Sequence, residues 1–309
     1  MAQIKSHISL TVSSVLLLSL FCSCEKVLDI GTLSEERFIT VNALPCADSQ
    51  MFVNITYSRF FLDNSDFETV DDVYVVLYSN GVEMISTQQD CANHFFDYTV
   101  KEGDSISLLI TIAGRNDITG SSHVPFFPDM SVPLTEVDTT QPFTMGDINF
   151  TLNDRAGESN YYRIYVDERD SGSRWNRYEE RWDTIDTTVH PFFVCLNSEI
   201  TSSAVNVTEG FMNYYNSLLF SDSLIEGLNY DIKVSLTFLR DTSEHPLLRQ
   251  YRIVVESLSP EAFKYFRDIT SMGGIESFFA EPSAIFNNLS GGAIGIVAGI
   301  ARREVYVSF

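Results

Sequence analysis

Apolar and polar residues alternate in short runs along the first third of the chain, which is the pattern of strands buried on one face. Asn80-Gly81, directly after one dense apolar run, is a strong signal for a tight hairpin turn. The apolar runs in this part cover residues 38–44, 51–57, 73–78, 82–87, 95–100 and 105–112. Roughly seven short strands within about 90 residues predict an immunoglobulin-like β-sandwich over residues 35–124.

A second group of strand-like runs follows the proline-rich segment 123–133, at residues 147–152, 161–166, 189–196, 230–239 and 251–257. One helix is predicted near 260–270, because Ser259 suits a helix N-cap and Pro260 suits the first helical position. We therefore expect a mainly β protein of two β-sandwich domains. The second, larger domain covers 134–309 and carries this one short helix.

The N-terminal segment has the features of a bacterial lipoprotein signal peptide. Lys5 supplies the positive charge, and the apolar run 12–21 is shorter than the roughly 20 residues of a membrane-spanning helix. A small residue precedes Cys24, as cleavage requires. We predict removal of residues 1–23, lipidation of Cys24 and a tether over 24–34. The alternative is plain secretion, with Cys24 an ordinary thiol.

The charge of the chain limits its partners. It has 42 acidic and 20 basic residues and a net charge of −22; loss of Lys5 with the signal peptide leaves 19 basic residues and a net charge of −23. This acidity argues against nucleic acid, whose phosphates require clustered Lys and Arg. It also argues against electrostatic binding to anionic lipids, so the membrane partner must be reached through acyl chains on Cys24. Whether the anchored protein faces the periplasm or the cell surface stays open.

Three further cysteines, Cys46, Cys91 and Cys195, follow Cys24. We predict a disulfide between Cys46 and Cys91, which both lie at predicted strand ends of the first sandwich, and we leave Cys195 unpaired. No CxxC motif or Cys/His cluster occurs, so we expect no metal and no cofactor. The sequence also lacks GxSxG, HExxH, P-loop and GxGxxG motifs, so we expect a protein that is not an enzyme and predict no catalytic residue.

The most suggestive binding feature lies in the charged segment 167–188, where Trp175, Tyr178 and Trp182 are interleaved with arginines. Aromatic faces can stack on sugars, and guanidinium groups add planar donors. The alternative is a long hairpin whose aromatic side chains pack on the sandwich. We favour the alternative, and the ligand-binding interpretation stays open.

Several segments together resemble one family: the residues CEKV at 24–27, SLSPEAFKYFRDI at 257–269 and EPSAIFNNLSGGAIG at 281–295. The chain resembles a family of uncharacterised outer-membrane lipoproteins from Bacteroidetes, recorded as a domain of unknown function. Its members are often encoded beside TonB-dependent receptors. The resemblance implies an outer-membrane location and a TonB-dependent receptor as the genetic neighbour. It implies no catalytic residues.

Asp followed by Ser or Thr, and then by an apolar residue or Thr, occurs five times. This pattern resembles the O-glycosylation acceptor of Bacteroidetes, although a motif this short also arises by chance. The predicted acceptors are Ser105, Thr139, Thr184, Thr187 and Ser223.

The expected function is therefore that of a lipid-anchored outer-membrane accessory protein, which assists a TonB-dependent receptor in ligand capture or uptake. An adhesion or surface-assembly lipoprotein is the alternative. Asn287-Asn288 and Gly291-Gly292 suit sharp turns, because Asn and Gly tolerate positive φ. We favour this structural role over a loop that docks a partner.

Overall fold

The computed structural model describes residues 37–59, 65–86, 88–90, 92–138, 143–176, 179, 181–204, 214–239, 248–272 and 285–308. These residues form a mainly β structure of several sheets with few short helices, which confirms the predicted fold class. No helix in this part of the chain has the length and apolarity of a membrane span. The signal peptide, the tether and Cys24 lie outside the described residues.

The first sandwich contains two sheets. The strands of one sheet are β1 (Ile39–Ala43), β2 (Gln50–Tyr57), β5 (Gln88–Asp90), β6 (Asn93–Thr99) and β19 (Ile294–Val297), and they lie in the order β19-β1-β2-β6-β5. The strands of the other sheet are β3 (Val73–Ser79), β4 (Val82–Ile85), β7 (Ser105–Ile112) and β8 (Ile118–His123), in the order β4-β3-β7-β8. Asn80 and Gly81 join β3 to β4 with φ of 50° and 80°, so the predicted tight turn is confirmed.

Apolar side chains from both sheets form one core. Val41 lies opposite Ile55 in the first sheet, and Val75 lies opposite Ile110 in the second. All four side chains are buried, and burial of each stabilises the fold by about 1.5–3 kcal/mol. The alternation that predicted the strands is thus the alternation between this core and the outer faces.

A strand from the C-terminal part of the chain completes the first sandwich. β19 pairs in parallel with β1, with Thr40 opposite Ile294 and Ala43 opposite Val297. The division predicted from the sequence placed all of 134–309 in the second domain, and this strand departs from it. The contact depends on Gly295, since a Cβ atom there would lie 2.0 Å from the Val41 carbonyl oxygen.

The second sandwich also contains two sheets. One is formed by β9 (Asp129–Met130), β10 (Leu134–Asp138), β11 (Phe143–Asn153), β14 (Phe193–Cys195), β15 (Tyr214–Tyr215) and β17 (Asn229–Leu239). Its order is β10-β11-β17-β14-β15, with β9 beside β11. The other is formed by β12 (Tyr161–Asn176), β13 (Arg181–Val189), β16 (Ser217–Ser221), β18 (Leu248–Leu258) and β20 (Ile300–Val307). Its order is β13-β12-β18-β20, with β16 beside the start of β12.

The described helices are α1 (Ser198–Ser203), α2 (Pro260–Met272) and a 3-10 turn (Asp222–Leu224). The predicted start of α2 is confirmed, because the Ser259 hydroxyl accepts a hydrogen bond from the Ala262 amide at 3.2 Å. Phe263 stacks on Tyr161 with 4.5 Å between ring centroids, so α2 is held against the second sandwich.

The segment around Asn288 fastens the chain to the first sandwich. The Asn288 side-chain amide donates to the carbonyl oxygens of Val297 and Ser121, at 2.8 and 3.0 Å, and its oxygen accepts from the Val297 amide at 2.9 Å. Gly291 lies against Asp117, where a Cβ atom would be 2.4 Å from the carbonyl oxygen.

Gly291 and Gly292 have φ of 71° and 81°, which confirms the predicted positive φ for the Gly pair. The same prediction is wrong for Asn287 and Asn288, which are not among the described residues with positive φ and instead act through side-chain hydrogen bonds.

Candidate binding face on the second sandwich

The charged segment 167–188 forms the long hairpin of β12 and β13, in which Trp175 and Trp182 are directly opposite one another. Their ring centroids are 5.7 Å apart, at an interplanar angle of 65°. The two residues are 45% and 52% exposed. The hairpin is therefore confirmed, but the expectation that these two side chains pack on the sandwich is wrong, because they pack on each other. Tyr178 lies outside the described residues.

The tryptophans share one face of the sheet with a row of polar side chains. Side chains alternate between faces along a strand, and directly paired residues on neighbouring strands lie on the same face. We call this surface the hairpin face. Its residues are Asp167, Arg169, Ser171, Ser173 and Trp175 of β12, Trp182, Thr184, Asp186 and Thr188 of β13, Leu248, Gln250 and Arg252 of β18, and Tyr306 of β20. The eight residue steps from Asp167 to Trp175 correspond to about 26 Å.

An open groove of about 450 Å³ lies on the hairpin face. It is lined by Asp167, Arg169, Asp186, Thr188, Gln250, Arg252 and Tyr306. Tyr306 is exposed at one end, and the tryptophan pair lies further along the hairpin. The face therefore combines aromatic surface with concentrated hydrogen-bonding groups.

Asp167 anchors the floor of the groove. Its side chain is only 3% exposed, and one carboxylate oxygen lies 2.5 Å from Nδ1 of His190. The other oxygen accepts a hydrogen bond from Nε of Arg252 at 2.7 Å. Burial lowers the pKa of Arg252, but its hydrogen bond to Asp167 and the nearby charges outweigh burial, so the net shift is upward. Arg252 is thus held as a fixed cation beside a fixed carboxylate.

Arg169 and Asp186 form a second ion pair, across β12 and β13. Nε and Nη2 of Arg169 donate to the two oxygens of Asp186, at 2.8 and 2.9 Å. This bidentate hydrogen bonding lowers the pKa of the Asp186 carboxyl. The charges of two carboxylates and two guanidinium groups therefore cancel within the groove, although the whole chain has a net charge of −22.

Replacing Asp167 with Asn should destabilise the protein by about 1–3 kcal/mol, because the buried carboxylate that contacts both Arg252 and His190 is lost, and Arg252 then keeps only the more distant Glu304 carboxylate, at 3.4 Å. Asp186→Asn is the matched control. Both members of its ion pair are more than half exposed, so little change in stability is expected. Urea unfolding followed by circular dichroism measures both variants. Equal losses would contradict the anchoring role of Asp167.

Comparison with known proteins gives the family. The sequence profile of the family described as a domain of unknown function, DUF4249, matches residues 25–304. The chain belongs to this family. No curated protein matches it. A solved structure described as manganese lipoxygenase of Gaeumannomyces graminis and partial zonadhesin of Komagataella pastoris is 12% identical, over 88% of this chain and 94% of that chain. Its TM-score is 0.16, so this likeness carries no argument.

Two of the three cysteines that follow Cys24 in this DUF4249 chain, Cys46 and Cys195, are among the described residues. Cys46 is buried, and its sulfur accepts a hydrogen bond from Nε of Arg302 at 3.4 Å. Its predicted partner, Cys91, lies outside the described residues, so the pairing stays a prediction. Cys195 is also buried, and burial raises the pKa of its thiol.

Four predicted O-glycosylation acceptors are exposed: Ser105, Thr184, Thr187 and Ser223. Thr139 lies outside the described residues. Thr184 is on the hairpin face, whereas Thr187 points from the opposite face of β13. Modification of these residues stays a prediction.

A second cleft, of about 330 Å³, lies beside the N-terminus of α2. Its Glu261 carboxylate accepts a hydrogen bond from the Ser122 hydroxyl at 2.9 Å, and that hydroxyl accepts from the Gly299 amide at 3.1 Å. Arg155 lies 4.0 Å from the centroid of the Phe126 ring. Several polar groups of this cleft are therefore already hydrogen-bonded to other segments of the protein. We accordingly favour the hairpin face as the binding site.

Sequence reasoning identified the tryptophans and missed the groove. The sequence offers only a partial signal for it: Gln250 and Arg252 flank Tyr251, whereas Glu168 interrupts the alternation between Asp167 and Arg169. Asp167, Arg252 and Tyr306 belong to three strands that are far apart in the sequence, so only the pairing register brings them together.

Proposed function

We propose that this DUF4249 protein is a lipid-anchored outer-membrane protein of a Bacteroidetes bacterium. In this proposal it is attached through Cys24 and assists a TonB-dependent receptor in ligand capture or uptake. The observation that carries the proposal is the hairpin face, where a half-exposed tryptophan pair and a charge-balanced groove lie on one surface.

Exposed apolar side chains that lie together in one patch are typical of interaction sites. Trp175 and Trp182 lie together and about half exposed near the end of a two-stranded extension, where a ligand can reach them. The groove, further along the same face, presents carboxylate and guanidinium groups whose positions are set by ion pairs. Such a face suits ligand capture, and we propose no reaction for it.

The proposed address rests on the sequence. The signal-peptide features, the small residue before Cys24 and the resemblance to outer-membrane lipoproteins support attachment by acyl chains. The usual genetic neighbour of the resembling family supports a TonB-dependent receptor as the partner.

One observation favours the alternative, an adhesion or surface-assembly lipoprotein. β13 is a nine-residue end strand of its sheet, and within the described residues no strand pairs with its outer edge. An open edge of this length can add a strand from another chain.

Affinity purification of the tagged, full-length chain from solubilised native membranes separates the two functions. The proposal predicts recovery of a TonB-dependent receptor with the wild-type chain, and loss of that receptor with a Cys24→Ala variant that is no longer anchored. Recovery of a surface polymer or of other copies of this chain, without a receptor, would favour the alternative and contradict the proposal.

A further inference from the structure

The tryptophan pair is a ready contact for a flat apolar surface. In an edge-to-face pair, the edge of one ring covers only part of its neighbour, so indole faces stay accessible. Trp175 and Trp182 are each about half exposed, which leaves a large aromatic area on the hairpin face, four residue steps or about 13 Å along β13 from Asp186 in the groove. Sugar rings have apolar faces of C–H groups that pack against such rings, whereas their edges carry hydroxyl groups.

The groove supplies partners for those hydroxyl groups. Its carboxylates accept hydrogen bonds, its guanidinium groups donate them, and Gln250 and Thr188 can do both. The two bonds to Asp186 use Nε and Nη2 of Arg169, so Nη1 can donate to a ligand. Because the ion pairs hold the two carboxylates and the two guanidinium groups in place, little side-chain entropy of these four residues is lost when a ligand binds.

The charge balance of the groove narrows the ligand class. Each guanidinium group already faces a carboxylate, so an anionic ligand gains little there and meets the repulsion of a chain with net charge −22. A cationic ligand would be repelled by the positive charges of Arg169 and Arg252. A neutral ligand with many hydroxyl groups and apolar ring faces meets neither penalty.

The shape favours a chain over a single sugar. The hairpin face extends about 26 Å from Asp167 to Trp175, and the groove lies toward its Asp167 end, so a ligand that contacts both the groove and the tryptophan pair is longer than one sugar ring. We propose that the hairpin face binds a neutral oligosaccharide, whose rings pack on Trp175 and Trp182 and whose hydroxyl groups bond to the groove. This inference rests on the proposed ligand-capture function and names the ligand class.

The test titrates the purified full-length protein, in detergent, with neutral oligosaccharides. The probes are linear chains of glucose, mannose and xylose units, with polygalacturonate as the anionic comparison, and binding is measured by calorimetry. At least one neutral probe should bind, and the Trp175→Ala/Trp182→Ala variant should weaken that binding by about tenfold or more. Gln250→Ala should weaken it by a smaller factor.

Tyr74→Ala is the matched control, since Tyr74 is a similarly exposed aromatic residue on the first sandwich. It should leave binding unchanged, and circular dichroism should show that all variants are folded. Absence of binding by every neutral probe, equal binding by the double variant, or preference for polygalacturonate would overturn the inference. Receptor co-purification without sugar binding would overturn the ligand class alone, whereas sugar binding without a receptor would overturn the proposed function alone.

Discussion

Gly295→Ala is expected to destabilise the protein by about 4 kcal/mol or more, which is exceptional for a single substitution. The added Cβ atom would lie 2.0 Å from the carbonyl oxygen of Val41 and 2.9 Å from its carbonyl carbon. These are backbone atoms of β1 and cannot rotate away. Relief therefore requires β19 to separate from β1, which breaks the parallel pairing that completes the first sandwich.

Gly292→Ala is the control that distinguishes steric overlap with a neighbouring strand from the strain of a positive φ. Gly292 has φ of +81°, and a Cβ atom there would meet nothing within 4 Å. Its replacement should cost only about 1–2 kcal/mol, from the left-handed conformation. Urea unfolding followed by circular dichroism measures both variants. Similar losses would show that the close approach of β19 to β1 is not what Gly295 permits.

Cys24→Ala should release the protein from the membrane. Each buried CH₂ of an acyl chain contributes about 0.8 kcal/mol, and stable attachment takes two or more chains. A net charge of −22 disfavours electrostatic binding to anionic lipids in place of these acyl chains. Fractionation should find the wild-type protein in the outer membrane and the variant unprocessed or soluble.

Cys22→Ala is the control for this experiment, because bulky Phe21 makes Cys22 a poor acceptor and its loss should leave attachment unchanged. Mass spectrometry of the mature wild-type chain should show acyl chains on Cys24. A free thiol at Cys24, or outer-membrane attachment of the Cys24→Ala variant, would sink the anchoring proposal.

Local patterns predicted the elements that depend on neighbouring residues. Alternation located β1, β2, β3 and β7, Asn80-Gly81 located a hairpin turn, and Ser259-Pro260 located the start of α2. Each of these signals lies within one strand, one turn or one helix end, so no distant contact was needed.

The contacts that escaped prediction join distant segments. The pairing of β19 with β1 connects residues about 250 positions apart, and nothing local specifies it. The groove also depends on register, since Asp167 meets Arg252 only when β12 and β18 pair as they do. The exposure of Trp175 and Trp182 was missed because an amphipathic strand pattern does not show whether another layer covers its aromatic face.

Crosslinking in intact cells, with the tagged chain at its native level, tests the receptor partnership most directly because no detergent intervenes. The account predicts a crosslinked species that contains this chain and a TonB-dependent receptor, and that disappears when Cys24→Ala removes the anchor. Crosslinks of the anchored wild-type chain only to itself or to surface polymer, with no receptor, would contradict it.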